Sequence, residues 1–200
     1  MIKDCTAIIL AGGDSQRMGS DKANLLLGGQ TLLQRVIATM QEIFPHVVVS
    51  VRQPRPDIDL PQVCDEQPGD GMPGAGPLAG LVAGLGHITT SWAFAVACDM
   101  PFVAPALVEQ LGKFRSGHQA VVPVVQGFPQ PLAAFYAVGC LAAMRDNLAG
   151  GGERSLRAAL EQLQVRYVDE AELLQADPAL RSFFDLDTPQ DVATALQGEK

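Results

Sequence analysis

Four apolar residues, Ala7, Ile8, Ile9 and Leu10, run into Ala11-Gly12-Gly13 and then into a polar loop that carries Arg17, Gly19 and Lys22. This break constrains the chain more than any other feature in it. A short uninterrupted apolar run reads as a strand buried on both faces. Adjacent glycines at its exit leave backbone N–H groups uncovered, which is how proteins wrap phosphates. A P-loop is excluded, because Gly19 is followed by Ser20-Asp21 instead of lysine and a hydroxyl residue. The dinucleotide fingerprint Gly-x-Gly-x-x-Gly is excluded as well, since the two glycines are contiguous. A glycine turn with surface cations would account for a lone Gly-Gly. Strand, glycine pair, arginine, glycine and lysine in one order point instead to a third kind of anion cradle.

The remainder of the chain alternates apolar runs with amphipathic stretches, the pattern of βαβ units and a mostly parallel sheet. All 200 residues are expected to form one α/β domain with an ample core. Thr31 caps a helix through about Phe44, with Leu32, Leu33, Val36, Ile37, Met40 and Ile43 on one stripe, and Pro45 ends it. A buried strand is expected at 47–49 and further strands at 62–64, 92–97, 120–125 and 133–136, with an edge strand at 165–168 and a strand-like alternation at 183–187. Helices are expected at 77–85, 105–114, 140–148, 153–163 and 188–196. Gly28-Gly29 marks a turn. The Gly- and Pro-rich residues 67–76 form either a linker or an active-site lid that enters a helix at Pro77.

The net charge of −8 argues against a binder of nucleic acid or of anionic membranes, both of which need a basic surface. No apolar run approaches membrane-spanning length, and the start Met1-Ile2-Lys3-Asp4 lacks a signal-peptide core, so a cytoplasmic location is expected. The four cysteines, Cys5, Cys64, Cys98 and Cys140, are scattered without a Cys-x-x-Cys and read as free thiols, mostly buried. The histidines His46, His87 and His118 are isolated, which leaves neither a zinc site nor a catalytic imidazole. Asp99 follows the uncharged strand 92–97, at a carboxyl end, where open α/β sheets bind ligands. A helix cap or a turn former are its other readings. Gly150-Gly151-Gly152 followed by Arg154 and Arg157 suits a second anionic ligand or a solvated capping turn.

The order Leu10-Ala11-Gly12-Gly13-x-Ser15-x-Arg17-Met18-Gly19-x-Asp21-Lys22 resembles the signature loop of nucleotidyltransferases. More closely, it is similar to the molybdenum cofactor guanylyltransferases of the MobA type. Gly76-Pro77-Leu78-Ala79-Gly80, Pro131-Leu132 ahead of Tyr136, and Gly152-Glu153-Arg154-Ser155-Leu156 look like that family too. The resemblance implies a single Rossmann-like, nucleotide-diphospho-sugar transferase-like domain with helices on both faces of the sheet. It implies that Leu10, Ala11, Gly12 and Gly13 hold the nucleotide, that Arg17 and Lys22 touch its phosphates, and that Pro77 and Leu78 lie beside the base. Gly12 favours GTP, because Leu-Ala-Gly-Gly goes with guanine in these families and Leu-Ala-Ala-Gly more often with cytosine. A hard cation near a triphosphate wants carboxylate oxygen, so Asp99 is the expected Mg²⁺ ligand, at the strand end where the family carries its metal-binding aspartate. Arg17, Lys22 and Asp99 are thereby the expected catalytic set.

Guanine and ribose both offer donors that an acid can accept. Asp65 is the candidate contact, with Asp70 as its alternative. The implied acceptor is molybdopterin, whose phosphate is mostly dianionic at neutral pH and needs no general base. Handover of the product to molybdoenzyme-maturation proteins is the implied next step. The family often carries asparagines where this chain has Asp185 and Asp187. Those acids leave open a cytidylyltransferase or a sugar-phosphate nucleotidyltransferase. A nucleotide-binding cofactor chaperone without chemistry is the alternative of another class.

Overall fold

A computed structural model describes residues 1–12, 22–65, 76–150, 153–186, 191, 194 and 195. Its centre is β1 (Cys5–Leu10), six residues buried on both faces. β1 pairs in parallel with β4 (His46–Val51) on one side and with β6 (Trp92–Ala97) on the other. A hairpin of β2 (Leu26–Leu27) and β3 (Gln30–Thr31) turns through Gly28-Gly29, as the glycine pair required. The sheet continues through β5 (Gln62–Cys64), β7 (Ala120–Val125), β8 (Phe128–Pro129), β9 (Ala133–Ala137) and β10 (Val165–Val168). The strand order is β10-β7-β9-β6-β1-β4-β5, with β8 pairing β7. β9 runs against both β6 and β7, and the other main-sheet strands on that path are parallel to one another. The sheet is therefore mostly parallel with one reversed strand inside it, and β10 is the edge strand the sequence suggested.

Strand residues alternate between two cores. Ala7, Ile9, Val49, Phe94, Val96 and Phe135 face α1 (Leu32–Ile43) and α3 (Pro105–Gly112). Ile8, Leu10, Ala95, Ala134 and Tyr136 face α2 (Pro77–His87), α4 (Leu141–Ala149) and α5 (Leu156–Leu160). In the first core the rings of Phe44, Phe94 and Phe135 pack with centroids 5.7 Å and 4.9 Å apart along the chain of three. In the second, Gly84 of α2 lies on Ile8; a Cβ there would stand 2.7 Å from Ile8 Cδ1 and Cγ2, so the missing side chain sets how closely α2 lies on β1. The N-terminus of α1 carries a full capping box: Thr31 accepts from the Gln34 N–H at 3.1 Å, and the Gln34 side chain accepts from the Thr31 N–H at 2.9 Å.

Two expectations change in the structure, and one short helix is new. Residues 183–186 are not a strand. A short 3₁₀ turn covers Arg181–Phe183, and Leu186 then buries itself against Leu27, Leu32 and Ala195 in a third, small core. The apolar alternation there serves packing: Leu186 meets the turn after β6 through its bond to Asp99, and β6 is already flanked by β1 and β9. The helix expected at 153–163 is shortened to α5, because Ser155 caps it by accepting from the Ala158 N–H and its end tightens into 3₁₀ bonds from Gln162 to Ala159 and from Leu163 to Leu160. A one-turn helix, α6 (Glu170–Leu173), follows β10, capped by Asp169 accepting from the Glu172 N–H at 3.0 Å. Cys5, Cys98 and Cys140 are buried and Cys64 is exposed, and all four are thiols outside any disulfide. Among the described residues no helix is long and apolar enough to cross a membrane.

Candidate functional site

β1 and β6 leave the sheet side by side. Leu10 is in register with Ala97, and the Cys98 N–H donates to the Leu10 carbonyl at 3.1 Å, which carries the ladder one step past the strands. Ala11 does the same on the other side, donating to the Ser50 carbonyl at 2.8 Å. The beginning of the glycine loop and the segment bearing Asp99 thus leave the same sheet edge on adjacent strands. Gly13 and Arg17 lie outside the described residues, as do Asp70 and Asp187. Lys22 opens a 3₁₀ turn, Lys22–Asn24, that brings Ala23 back into the first core; its side chain is outside the described atoms.

Asp99 is half-buried in a tight turn closed by the Met100 N–H on the Ala97 carbonyl at 3.3 Å. It does not cap α3. That cap is Ala104, whose N–H goes to Ser182 Oγ at 2.9 Å. The carbonyl of Asp99 accepts from the Leu186 N–H at 3.0 Å, so the C-terminal segment grips the turn from outside the sheet. Ser182 is held in turn by Asp177, whose carboxylate accepts from the Ser182 and Arg181 N–H groups at 2.8 and 3.2 Å.

Asp65 stands at the exit of β5, its N–H bonded to the Val51 carbonyl at 2.9 Å. Its carboxylate reaches across the end of β4. Oδ1 accepts from the hydroxyl of the buried Ser50 at 2.6 Å. Oδ2 lies over Gly12, where a Cβ would come within 2.5 Å of it. A Cβ on Gly80 of α2 would meet Ser50 Oγ at 2.8 Å and Asp65 Oδ1 at 3.2 Å. The space left by the missing side chain at position 12 is therefore taken by Asp65.

α2 begins at this edge, because it connects the exit of β5 to the entry of β6. Pro77 is its first residue and is exposed, whereas Leu78 is fully buried in the second core, so only the backbone of Leu78 can face a ligand. Leu10 is also core-facing, and Ala11 is half-buried at the edge. Ahead of α5, Arg154 Nε donates to the Gly150 carbonyl at 3.1 Å, and Arg157 lies within the helix. Tyr136 is committed too, its hydroxyl donating to the Pro131 carbonyl at 2.8 Å, and burial pushes its pKa far up. Burial likewise pushes the Cys140 thiol up to about 11; it donates to the Gln119 carbonyl.

Among the described residues no three or more His, Cys, Asp or Glu side chains gather into a metal cage. A carboxylate at a strand exit suits a cation held mainly by substrate oxygens, the way Mg²⁺ sits on nucleotide phosphates. The sequence reading missed Ser50 and Leu186. Ser50 had a signal, as the one hydroxyl in the run Val47-Val48-Val49-Ser50-Val51; Leu186 had none beyond its apolar character.

Residues 7–166 match the family model described as the MobA-like NTP transferase domain. The chain is 38% identical over 197 residues to the "Probable molybdenum cofactor guanylyltransferase" of Chloroflexus aggregans, with 94% of this chain and 91% of that protein covered. It is 32% identical over 192 residues to the "Molybdenum cofactor guanylyltransferase" of Desulfosudis oleivorans, covering 95% and 93%. The crystal structure of "Molybdopterin-guanine dinucleotide biosynthesis protein A" from Archaeoglobus fulgidus superposes with a TM-score of 0.81 at 28% identity, covering 96% of this chain and 97% of that one. The chain belongs to the family of the MobA-like NTP transferase domain.

Proposed function

We propose that this chain, as a single nucleotidyltransferase domain, transfers GMP from GTP to the phosphate of molybdopterin and releases pyrophosphate. The observation that carries the reading is the adjacency of the Leu10 and Ala97 strand ends, from which the first residues of the glycine loop and the turn bearing Asp99 leave the sheet. The family and the names of its relatives supply the nucleotide and the acceptor.

An oxygen of the acceptor phosphate attacks the α-phosphorus of GTP. The bond from that phosphorus to the bridging α,β-oxygen breaks, and pyrophosphate departs with the electron pair. The attacking phosphate is already anionic, so the chain's residues have no proton to remove; they position groups and offset charge. Backbone N–H groups beyond Ala11, whose own N–H is bonded to the Ser50 carbonyl, receive phosphate oxygens. Arg17 contributes a planar fork and Lys22 a mobile point charge. Asp99 would hold Mg²⁺, which when bound offsets charge on the nucleotide's phosphate oxygens. Asp65 accepts from a donor of the nucleoside, and the α2 N-terminus at Pro77 and Leu78 borders the base. We place the reaction in the cytoplasm, ahead of handover to molybdoenzyme-maturation proteins.

The test is pyrophosphate release with molybdopterin and each of GTP, CTP and ATP, with a sugar phosphate as control acceptor. GTP with molybdopterin should exceed every other pair by at least about tenfold, the scale of a lost base-specific hydrogen bond to a charged group. A preference for CTP or for the sugar phosphate would overturn the reading.

A further inference from the structure

We propose that Ser50 is a positioning residue for nucleotide selection, acting through Asp65; this rests on the reading of Asp65 as a nucleoside contact. Four segments meet at one carboxylate. β4 brings the Ser50 hydroxyl, β5 delivers Asp65, α2 clears space with Gly80, and the exit of β1 clears space with Gly12. Ser50 is fully buried, and its side chain points to the α2 side of the sheet, away from the first core. Its backbone is fixed on both sides: Leu10 and Val63 are its register partners, and its carbonyl accepts from the Ala11 N–H. The hydroxyl therefore has little freedom, and it spends its one proton on Asp65 Oδ1 at 2.6 Å.

A carboxylate on a strand exit would otherwise turn about its last bond and present either oxygen in many directions. With Oδ1 held, the turn is fixed, and Oδ2 is left over Gly12 without another hydrogen-bond partner among the described residues. An ionised carboxylate only accepts, so the site selects a donor on the nucleoside: the exocyclic amino group of the base or the ribose 2′-hydroxyl. Fixing the acceptor beforehand removes ordering entropy from the binding step and raises the penalty for a ligand that lacks the donor. Gly80 belongs to the same device, because a Cβ there would collide with Ser50 Oγ at 2.8 Å and crowd Asp65 Oδ1 at 3.2 Å.

The experiment reads direct binding of GTP, ITP (no 2-amino group) and 2′-deoxy-GTP (no 2′-hydroxyl), with Mg²⁺ present, to wild type, Ser50→Ala, Ser50→Thr, Asp65→Asn and the Ser50→Ala/Asp65→Asn double variant. Melting temperatures are recorded alongside. Wild type should favour GTP over one of the two analogues, which identifies the donor. Ser50→Ala should weaken GTP binding about tenfold and shrink that preference by a similar factor, the scale of a hydrogen bond to a charged group. Ser50→Thr, which keeps the hydroxyl, should restore the preference. In the Asp65→Asn background Ser50→Ala should change affinity by less than about twofold, because the two residues act as one unit. Loss of melting temperature with the preference intact would overturn the proposal, as would losses that multiply in the double variant. GTP binding with no preference against either analogue would overturn it while leaving the proposed transfer standing. No GTP binding at all would overturn both.

Discussion

The N–H of Leu186 donates to the carbonyl of Asp99 at 3.0 Å, so a residue near the C-terminus holds the turn that carries the candidate metal ligand. Leu186 is itself locked by burial against Leu27 and Leu32, which belong to the hairpin and helix following Lys22. The third core thus joins the two ends of the proposed site. Leu186→Ala removes the plug without touching Asp99. Its loss should raise the Mg²⁺ concentration for half-maximal turnover several-fold. It should also lower stability by about 2–5 kcal/mol, as truncation of a buried leucine does. A Mg²⁺ titration paired with urea unfolding checks both; an unchanged Mg²⁺ requirement would detach the C-terminal segment from the site.

Gly12 and Asp65 are sterically coupled. A methyl group at position 12 would stand 2.5 Å from Asp65 Oδ2, closer than any stable contact, and Ser50 keeps that carboxylate from swinging freely. Gly12→Ala should therefore weaken GTP binding by about tenfold or more, by displacing a charge-assisted acceptor. In an Asp65→Ala background the same substitution should be nearly neutral. Equal effects in both backgrounds would mean that position 12 acts on the nucleotide directly.

Gly84 governs how near α2 comes to β1. Gly84→Ala pushes a methyl group to 2.7 Å from Ile8 and should destabilise by about 1–3 kcal/mol, the usual range for overpacking. Ile8→Val removes one of the two clashing carbons and should recover part of that loss. Denaturant midpoints of the single and double variants decide this; simple addition of the two losses would contradict the packing.

Alkaline stability follows from the buried thiol of Cys140, pushed by burial from 9.0 up to about 11. The folded state keeps the proton that the unfolded chain releases. Cys140 therefore contributes fully below about pH 9, and its contribution is lost as pH rises towards 11. Burial shifts Cys5 and Tyr136 in the same direction. Urea midpoints should fall across that interval, and Cys140→Ala should make the fall shallower. An equally steep fall in the variant would assign it to other groups.

Local signals carried most of the architecture. The apolar runs at 47–49, 92–97 and 120–125 became β4, β6 and β7, and the Thr31 cap and Pro45 stop bracketed α1. Those elements are fixed by neighbours in sequence: a cap, a stripe, a proline. The reversal of β9 was not legible, because its run Ala133-Ala134-Phe135-Tyr136 is apolar on both faces whichever way it points. Phe183 to Leu186 alternates like a strand, yet its Leu186 packs into the third core beside the end of β6, which β1 and β9 already flank. At the site, Asp99 could be found from its place after a buried run. Asp65 could be named as a candidate, but its partners Ser50 and Gly80 come from a neighbouring strand and from a helix, and only the fold brings them together. The roles given to Gly13, Arg17 and the Lys22 side chain lie outside the described residues and rest on the family resemblance.

The central claim is that the exits of β1 and β6 form one phosphoryl-transfer site with Asp99 at its heart. The measurement that meets it head-on is pyrophosphate release from GTP and molybdopterin by Asp99→Ala, with wild type and Lys22→Ala assayed in parallel over a range of Mg²⁺. Each variant should lose turnover by about a hundredfold or more, as removal of a charged group at a phosphoryl site does, with excess Mg²⁺ failing to restore Asp99→Ala. Turnover near that of wild type in Asp99→Ala would contradict the claim and move the chemistry elsewhere on the sheet.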